Sequence, residues 1–183
     1  MTRRDELAEA ATDYVLEHGI IDLSLRPLAA AIGTSDRMLL YHFRDKDDLV
    51  ATVLRVSNDR SVAEVHRLRT PRTVRGAVLD LWAAYTAGQL ERCQRLYVEA
   101  AALGLLGREP YLTVVRASNE RWVEAVVDHV VRAGVTRPRA RRAVALLDAA
   151  FMGLQLDLTV EDDAAALRRT VLDLADAVVA IAG

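Results

Sequence analysis

A short stretch near the N-terminus carries side chains suited to contacting a DNA groove. Ser35 can accept a hydrogen bond from the backbone at the start of a short helix. The residues that follow include Arg37, Met38, Tyr41 and His42. A helix with a guanidinium, a thioether and ring side chains has the size and chemistry needed to enter a major groove.

A second helical pattern precedes this stretch. Ser24 can cap a helix whose apolar residues Leu28 and Ile32 stand four apart and therefore share one face. Gly33 follows and allows a left-handed turn before the second helix. The spacing predicts a helix-turn-helix over residues 24–43.

The same segment resembles the TetR family of regulators. The resemblance is carried by residues 33–43 (GTSDRMLLYHF), by 45–49 (DKDDL), and upstream by Ala10-Ala11, Gly19 and residues 23–29 (LSLRPLA). It covers about the first 50 residues. One departure is that the family usually has a tyrosine three residues before the phenylalanine, whereas this chain has Leu40 there and Tyr41 beside it.

The resemblance implies DNA-binding roles for individual residues. Arg37 is the best candidate to contact a guanine, although it could instead pair with Asp36 or Asp45. Asp36 could read a cytosine or simply cap the helix, and His42 could also be a cap. The full expected DNA-binding set is Arg26, Ser35, Asp36, Arg37, Met38, Leu40, Tyr41, His42 and Lys46.

The charge of this region is unusual for a DNA-binding domain. Residues 1–50 contain six Arg and Lys against ten Asp and Glu, and the whole chain has a net charge of −2. DNA binding therefore requires a local patch of positive charge rather than a basic domain. We expect five basic residues to gather on one face: Arg3, Arg4, Arg26, Arg37 and Lys46.

The whole chain is predicted to be all-α, with about nine helices. Glycine and proline positions and a 3.6-residue apolar period place helices at 3–18, 25–32, 36–43, 46–68, 73–92, 94–106, 110–133, 138–158 and 162–182. We assign residues 1–50 to a three-helix DNA-binding domain. Residues 51–183 form a helical bundle for effector binding and dimerisation.

The predicted bundle contains no catalytic motif and no metal-binding motif, so we expect neither an enzyme nor a cofactor. Polar and aromatic residues at inward spacings, Glu99 among them, could line an effector pocket of the kind that the resemblance implies. They could equally be core residues. The candidate ligand-binding residues are Trp82, Tyr85, Tyr97, Trp122 and Phe151.

The last two helices have wide apolar faces. One stripe includes Ala143, Leu147, Ala150, Phe151, Leu154 and Leu158, and the other includes Leu167, Val171, Leu174, Val178 and Ile181. These stripes predict a homodimer through residues 138–158 and 162–182, unless both are buried within one chain. No apolar run reaches membrane-spanning length, and with one cysteine and no signal peptide we expect a cytoplasmic protein.

The favoured function is a repressor that leaves its operator DNA when a small-molecule ligand binds. The alternative is a helical protein that binds or carries a small molecule without binding DNA, and a third is a purely structural dimer. Binding to double-stranded DNA would separate the first function from the other two.

Overall fold

A computed structural model describes residues 2–160 and 162–183, and the regular structure in these residues is helical. Nine helices occur there in the order α1 (Arg3–His18), α2 (Leu25–Ala31), α3 (Asp36–His42), α4 (Lys46–Arg67), α5 (Val74–Tyr85), α6 (Gly88–Leu105), α7 (Tyr111–Val131), α8 (Arg137–Asp157) and α9 (Ala164–Ala182). The all-α prediction is confirmed. None of the described helices is long and apolar enough to cross a membrane.

Most helix ends lie where capping residues and glycines predicted them. The Ser35 hydroxyl accepts a hydrogen bond from the Met38 amide at 3.2 Å and caps α3. Ser24 holds the corresponding position before α2, but its hydroxyl makes no capping hydrogen bond. Gly19 and Gly33 have φ values of 84° and 69°, the left-handed region that glycine adopts at low cost.

The boundary between α5 and α6 was predicted wrongly. The sequence pattern placed the break near Cys93, whereas α5 ends at Tyr85 and α6 begins at Gly88. The Thr86 hydroxyl donates to the Trp82 carbonyl at 2.9 Å, and Gly88 has a φ of 61°. Because both features end a helix locally, they override an apolar period that continues through the break.

The contacts between residues divide the chain into two compact units. The first consists of Met1–Ser61 and Arg92–Glu120, and the second of residues 62–91 and 121–183. The boundary that we placed after residue 50 stays a prediction, because α4 runs without a break from Lys46 to Arg67. The core of the first unit includes Leu28, Leu39 and Phe43, all nearly inaccessible to solvent.

In the second unit, α9 packs against both α5 and α8. Much of the apolar stripe predicted on α8 lies in the core of its own chain, including Leu147 and Phe151. The same holds on α9 for Val171 and Val178. The homodimer expected through residues 138–158 and 162–182 stays a prediction, and the stripe residues that are buried within the chain are not available for its contacts. The large apolar side chains that α8, α9 and the loop between them expose are Leu146, Leu156, Leu158, Val160 and Val179.

Candidate nucleic-acid interface and aromatic cluster

A tight turn joins α2 to α3. The Thr34 amide donates to the Ala29 carbonyl at 2.9 Å, and Gly33 supplies the left-handed residue in this turn. Leu28 and Ala29 on α2 are buried, as is Leu39 on α3. The two short helices are therefore held together by apolar contacts and form the predicted helix-turn-helix.

Burial divides the residues of α3 into two groups. Leu39 is 0% exposed, whereas Tyr41 is 79% exposed and Met38 and Leu40 are also exposed. Arg37 is exposed as well. Two large apolar side chains and a tyrosine on the surface of a short helix are unusual unless that surface meets a partner. The exposed surface of α3 is therefore the candidate interface.

Arg37 has the freedom that groove recognition requires. Its backbone amide donates a hydrogen bond to Asp36 Oδ1 at 2.9 Å. The Asp36 carboxylate therefore serves as an acceptor at the start of α3. Within the described part of the chain, no ion pair joins the Arg37 guanidinium to Asp36 or to Asp45. Asp45 instead pairs with Arg44 at 3.2 Å.

Arg4 does not belong to the DNA-facing set that we expected. Its Nη2 lies 3.3 Å from Asp48 Oδ2, and its Nε donates to the His42 carbonyl at 3.2 Å. Its guanidinium carbon lies 4.9 Å from the centre of the Phe43 ring. Arg4 therefore ties α1 to the junction of α3 and α4, an internal role that the local sequence pattern did not indicate.

The acidic charge of α1 is largely compensated within the first unit. Arg60 on α4 pairs with Glu9, and also with Asp13 at 2.6 Å. Arg3 pairs with Glu6 at 2.9 Å. Arg60 lies beyond the first 50 residues, so counting charges over that segment alone overstated its acidity.

Three of the expected DNA-binding cations carry no ion pair within residues 2–160 and 162–183. They are Arg26, Arg37 and Lys46, and all three are exposed. Lys46 is the first residue of α4, where Asp45 Oδ1 accepts a hydrogen bond from the Asp48 amide at 2.8 Å. This hydrogen bond lowers the pKa of Asp45.

One contact fixes the loop that leads from α1 into α2. Glu99 on α6 accepts hydrogen bonds from the Ile20 amide at 2.7 Å and from the Ile21 amide at 3.2 Å. Gly19 precedes this pair, and a Cβ built there would lie 2.9 Å from Glu99 Oε2. Glu99 therefore sets the position of the backbone just before the helix-turn-helix.

The second unit contains an aromatic cluster. Four of the five residues expected to bind a ligand are linked by ring contacts, with Tyr85 touching the other three: Trp82, Trp122 and Phe151. Ring centres lie 4.9 Å apart between Trp82 and Phe151 and 5.1 Å apart between Tyr85 and Phe151. Tyr85 and Trp122 are 6.0 Å apart. Tyr97 lies in the first unit, where its hydroxyl donates to Asn119 at 3.4 Å.

Two polar side chains on α8 share a helix face with Phe151 of this cluster. Gln155 was among the polar residues that the sequence placed at inward spacings, whereas Asp148 was not anticipated. The Trp122 indole Nε1 donates to Asp148 Oδ1 at 2.8 Å, and burial raises the pKa of Asp148. The Gln155 side chain is 8% exposed, and its Oε1 accepts no hydrogen bond from the described residues. Asp148 and Gln155 stand three residues before and four residues after Phe151, on one helix face. That spacing was the available signal.

Across residues 2–160 and 162–183, no three His, Cys, Asp or Glu side chains come together in a group that could hold a metal ion.

Comparison with known proteins relates this chain to bacterial regulators. Residues 7–53 match the model of the family described as bacterial regulatory proteins, tetR family. A transcriptional regulator from Rhodococcus sp. Rha1 has a similar structure, with a TM-score of 0.74 at 22% identity over 99% of this chain and 96% of that chain. A TetR transcription regulator from Haloarcula marismortui gives 0.66 at 21% identity over 97% and 96%.

A third structure carries a ligand. The multidrug binding protein EbrR complexed with imidazole gives a TM-score of 0.65 at 27% identity, covering 95% of each chain. The same protein complexed with proflavin gives 0.65 at 25% identity, covering 94% of this chain and 99% of that chain. No curated protein sequence matches this chain.

Proposed function

We propose that the chain is a DNA-binding transcriptional regulator of the TetR family and that it is a repressor whose operator is released when a small molecule binds. The observation that carries the proposal is the division of α3, in which Leu39 is buried while Arg37, Met38 and Tyr41 are exposed. A helix held by its neighbour on one side and exposed in this way on the other is suited to a major groove.

We propose that α3 supplies base contacts and that its surroundings supply phosphate contacts. Arg37, with no ion pair to satisfy, reads a guanine through two parallel hydrogen bonds. Asp36, Met38 and Leu40 complete the surface within the groove, with the Leu40 side chain taking the place of the tyrosine usual in the family. The expected phosphate contacts come from Arg26, Ser35, Tyr41, His42 and Lys46.

The pattern of ion pairs supports this assignment. Glu9 and Asp13 are held by Arg60, and Asp48 is held by Arg4, so these acids are compensated by residues of the same unit. The cations left for phosphate are few. We therefore expect non-specific binding to be weak and the operator sequence to contribute most of the affinity.

We propose that the regulator is a homodimer and that α8 provides the centre of its interface. Leu156 is 53% exposed and Val160 just beyond α8 is 78% exposed. Leu146, Gly153 and Leu156 recur at helical spacing, so the exposed apolar positions form one stripe. The glycine in the middle of this stripe would let a second helix approach closely.

The charges at the ends of this stripe favour an antiparallel pairing of two α8 helices. Arg139 and Arg142 lie near the N-terminal end of the stripe, and Asp157 is the last residue of α8. In an antiparallel pair, the basic end of one helix would lie beside the acidic end of the other. A two-fold dimer has a self-complementary surface of this kind.

We propose that the aromatic cluster of Trp82, Tyr85, Trp122 and Phe151 binds the effector. Apolar rings accompanied by a few polar groups are typical of small-molecule sites. The EbrR complexes support the idea because the chain of that protein is similar over nearly its whole length. The effector would stabilise a conformation of the dimer that fits two successive major grooves poorly.

The proposal is tested by fluorescence anisotropy with labelled duplexes that tile the DNA flanking the chain's own gene. We expect one duplex to bind with a Kd at least about a thousandfold lower than the others at physiological salt. Asp173→Asn is a suitable folded control, because this exposed residue lies on α9 and outside the helix-turn-helix. Equal weak binding to every duplex would contradict sequence-specific regulation and favour the small-molecule carrier.

A further inference from the structure

One partly buried carboxylate has no counter-ion. Trp122 donates a hydrogen bond to Asp148 Oδ1 at 2.8 Å, and the described residues give this side chain no ion pair. Burial raises the pKa of Asp148, and no neighbouring cation acts against this rise. A partly buried carboxylate is normally paired with a cation, because desolvation disfavours its charge.

A second polar atom nearby also lacks a partner. Gln155 Oε1 is buried and accepts no hydrogen bond from the described residues. Gln155 and Asp148 lie on the face of α8 that carries Phe151, and Phe151 contacts the rings of Trp82 and Tyr85. A carboxylate without a counter-ion and an amide oxygen without a donor thus share the helix face that carries Phe151.

We propose that Asp148, Gln155 and the aromatic cluster form a binding site for a protonated organic amine, a conclusion that rests on the proposed effector site and names its ligand class. The Asp148 carboxylate pairs with the ammonium group, and Gln155 Oε1 accepts one of its N–H bonds. The faces of Trp82, Tyr85 and Trp122 attract the positive charge and pack against the apolar part of the ligand.

A ligand without both a positive charge and N–H groups would satisfy only part of this site. A neutral ligand would provide no charge for Asp148, so the cost of holding that carboxylate away from water would persist. A cation without N–H groups would balance the charge but would leave Gln155 Oε1 without a donor. The site therefore distinguishes ligands first by charge and then by N–H content.

The chain offers a direct readout, because its only two tryptophans, Trp82 and Trp122, both belong to the cluster. Tryptophan fluorescence is titrated with benzylammonium, benzyltrimethylammonium and benzyl alcohol on the full-length protein. We expect benzylammonium to bind at least about tenfold more tightly than the alcohol. Equal affinity for the two, or no saturable response to either cation, overturns the proposal.

Two variants test which residue is responsible for each ligand preference. Asp148→Asn keeps an acceptor for Trp122 and should remove most of the preference for the cations, leaving the part that is due to the ring faces, while Asp173→Asn should preserve the full preference. Gln155→Leu should weaken benzylammonium several-fold and leave benzyltrimethylammonium unchanged. The melting temperature of ligand-free Asp148→Asn should equal or exceed that of wild type, since a partly buried charge is removed. A cation preference in Asp148→Asn as large as that of the wild type overturns the assignment.

Separate measurements test whether the site binds an amine and whether that binding regulates the DNA complex. Binding of benzylammonium is measured without DNA, and its effect on the DNA complex is measured in a second titration. If the cation binds but the operator complex persists, the amine site stands and its role as an effector site is rejected. If neutral ligands release the operator while the cation does not bind, the amine site is rejected.

Discussion

The contact between Glu99 and the α1–α2 loop makes a quantitative prediction. Glu99→Ala removes the carboxylate that accepts from the Ile20 amide at 2.7 Å and from the Ile21 amide at 3.2 Å. Ile20 is buried, so its amide has restricted access to replacement water, whereas Ile21 is exposed. The loss should therefore arise mainly from one hydrogen bond to a charged acceptor, about 2 kcal/mol of unfolding free energy.

That loss is measurable by urea and thermal unfolding. For a chain of 183 residues, about 2 kcal/mol corresponds to a decrease in Tm of about 4–8 °C. Glu99→Gln retains an acceptor oxygen without the charge and should lose about half as much. A Glu99→Ala variant within about 0.5 kcal/mol of wild type would refute the claim that this contact holds the loop.

A double-mutant cycle tests the geometry of the same contact. Gly19→Ala places a Cβ 2.9 Å from Glu99 Oε2 on a backbone with a φ of 84°. The close approach disappears when Glu99 is also alanine. The strain of placing alanine on a backbone with φ 84° and ψ 172° remains, at about 1–3 kcal/mol. The two substitutions should therefore cost less together than the sum of their separate effects. Strict additivity would show that the two residues do not interact.

The remaining predictions concern DNA binding, assembly and pH. Arg37→Ala should weaken operator binding by about 1–3 kcal/mol and relax one base position, and equal weakening on all duplexes would instead make Arg37 a phosphate contact. Lys46→Ala should weaken all duplexes alike. With about three phosphates contacted per protomer, the log–log salt slope of the dimer should be about −5, and a slope steeper than about −8 would contradict so small a charged patch. Leu156→Asp should shift the protein towards monomer in analytical ultracentrifugation. Leu105→Asp, at an even more exposed leucine, is the control and should leave the dimer intact. A dimer that is unchanged in Leu156→Asp would exclude the α8 stripe as its interface. Burial and a neighbouring guanidinium lower the pKa of His129 below its ordinary 6.5, so its neutral form contributes stability that is present above that pH and is lost as the pH falls below it. His129→Gln should reduce the decrease in unfolding free energy between pH 7 and pH 5, as measured by urea unfolding. The same decrease in the variant as in the wild type would show that His129 does not cause it.

Local sequence patterns predicted the helix-turn-helix well because its determinants are local. A capping serine, a left-handed glycine and two apolar residues four apart define the two helices and their turn. The resulting exposure of Arg37 and Tyr41 follows directly from helical geometry once Leu39 is buried. The same reasoning placed most helix ends within two residues.

Local patterns did not predict contacts between residues that lie far apart in the sequence. Arg4 was assigned to the DNA face because its position in the sequence says nothing of Asp48, 44 residues away. The link between Arg60 and the acids of α1 was missed for the same reason. The apolar stripe predicted on α8 left two alternatives open, because periodicity reveals an apolar face without showing whether its partner is the same chain or a second one.

The central claim is that the exposed surface of α3 reads a DNA sequence, and in vitro selection from random duplexes tests it most directly. We expect wild-type protein to enrich a two-fold symmetric sequence whose half-sites lie about one helical turn apart. We expect Arg37→Ala to enrich the same sequence with one position in each half-site, a guanine for the wild type, no longer specified. Enrichment of no common sequence by the wild type, or an identical sequence from both proteins, would contradict the claim.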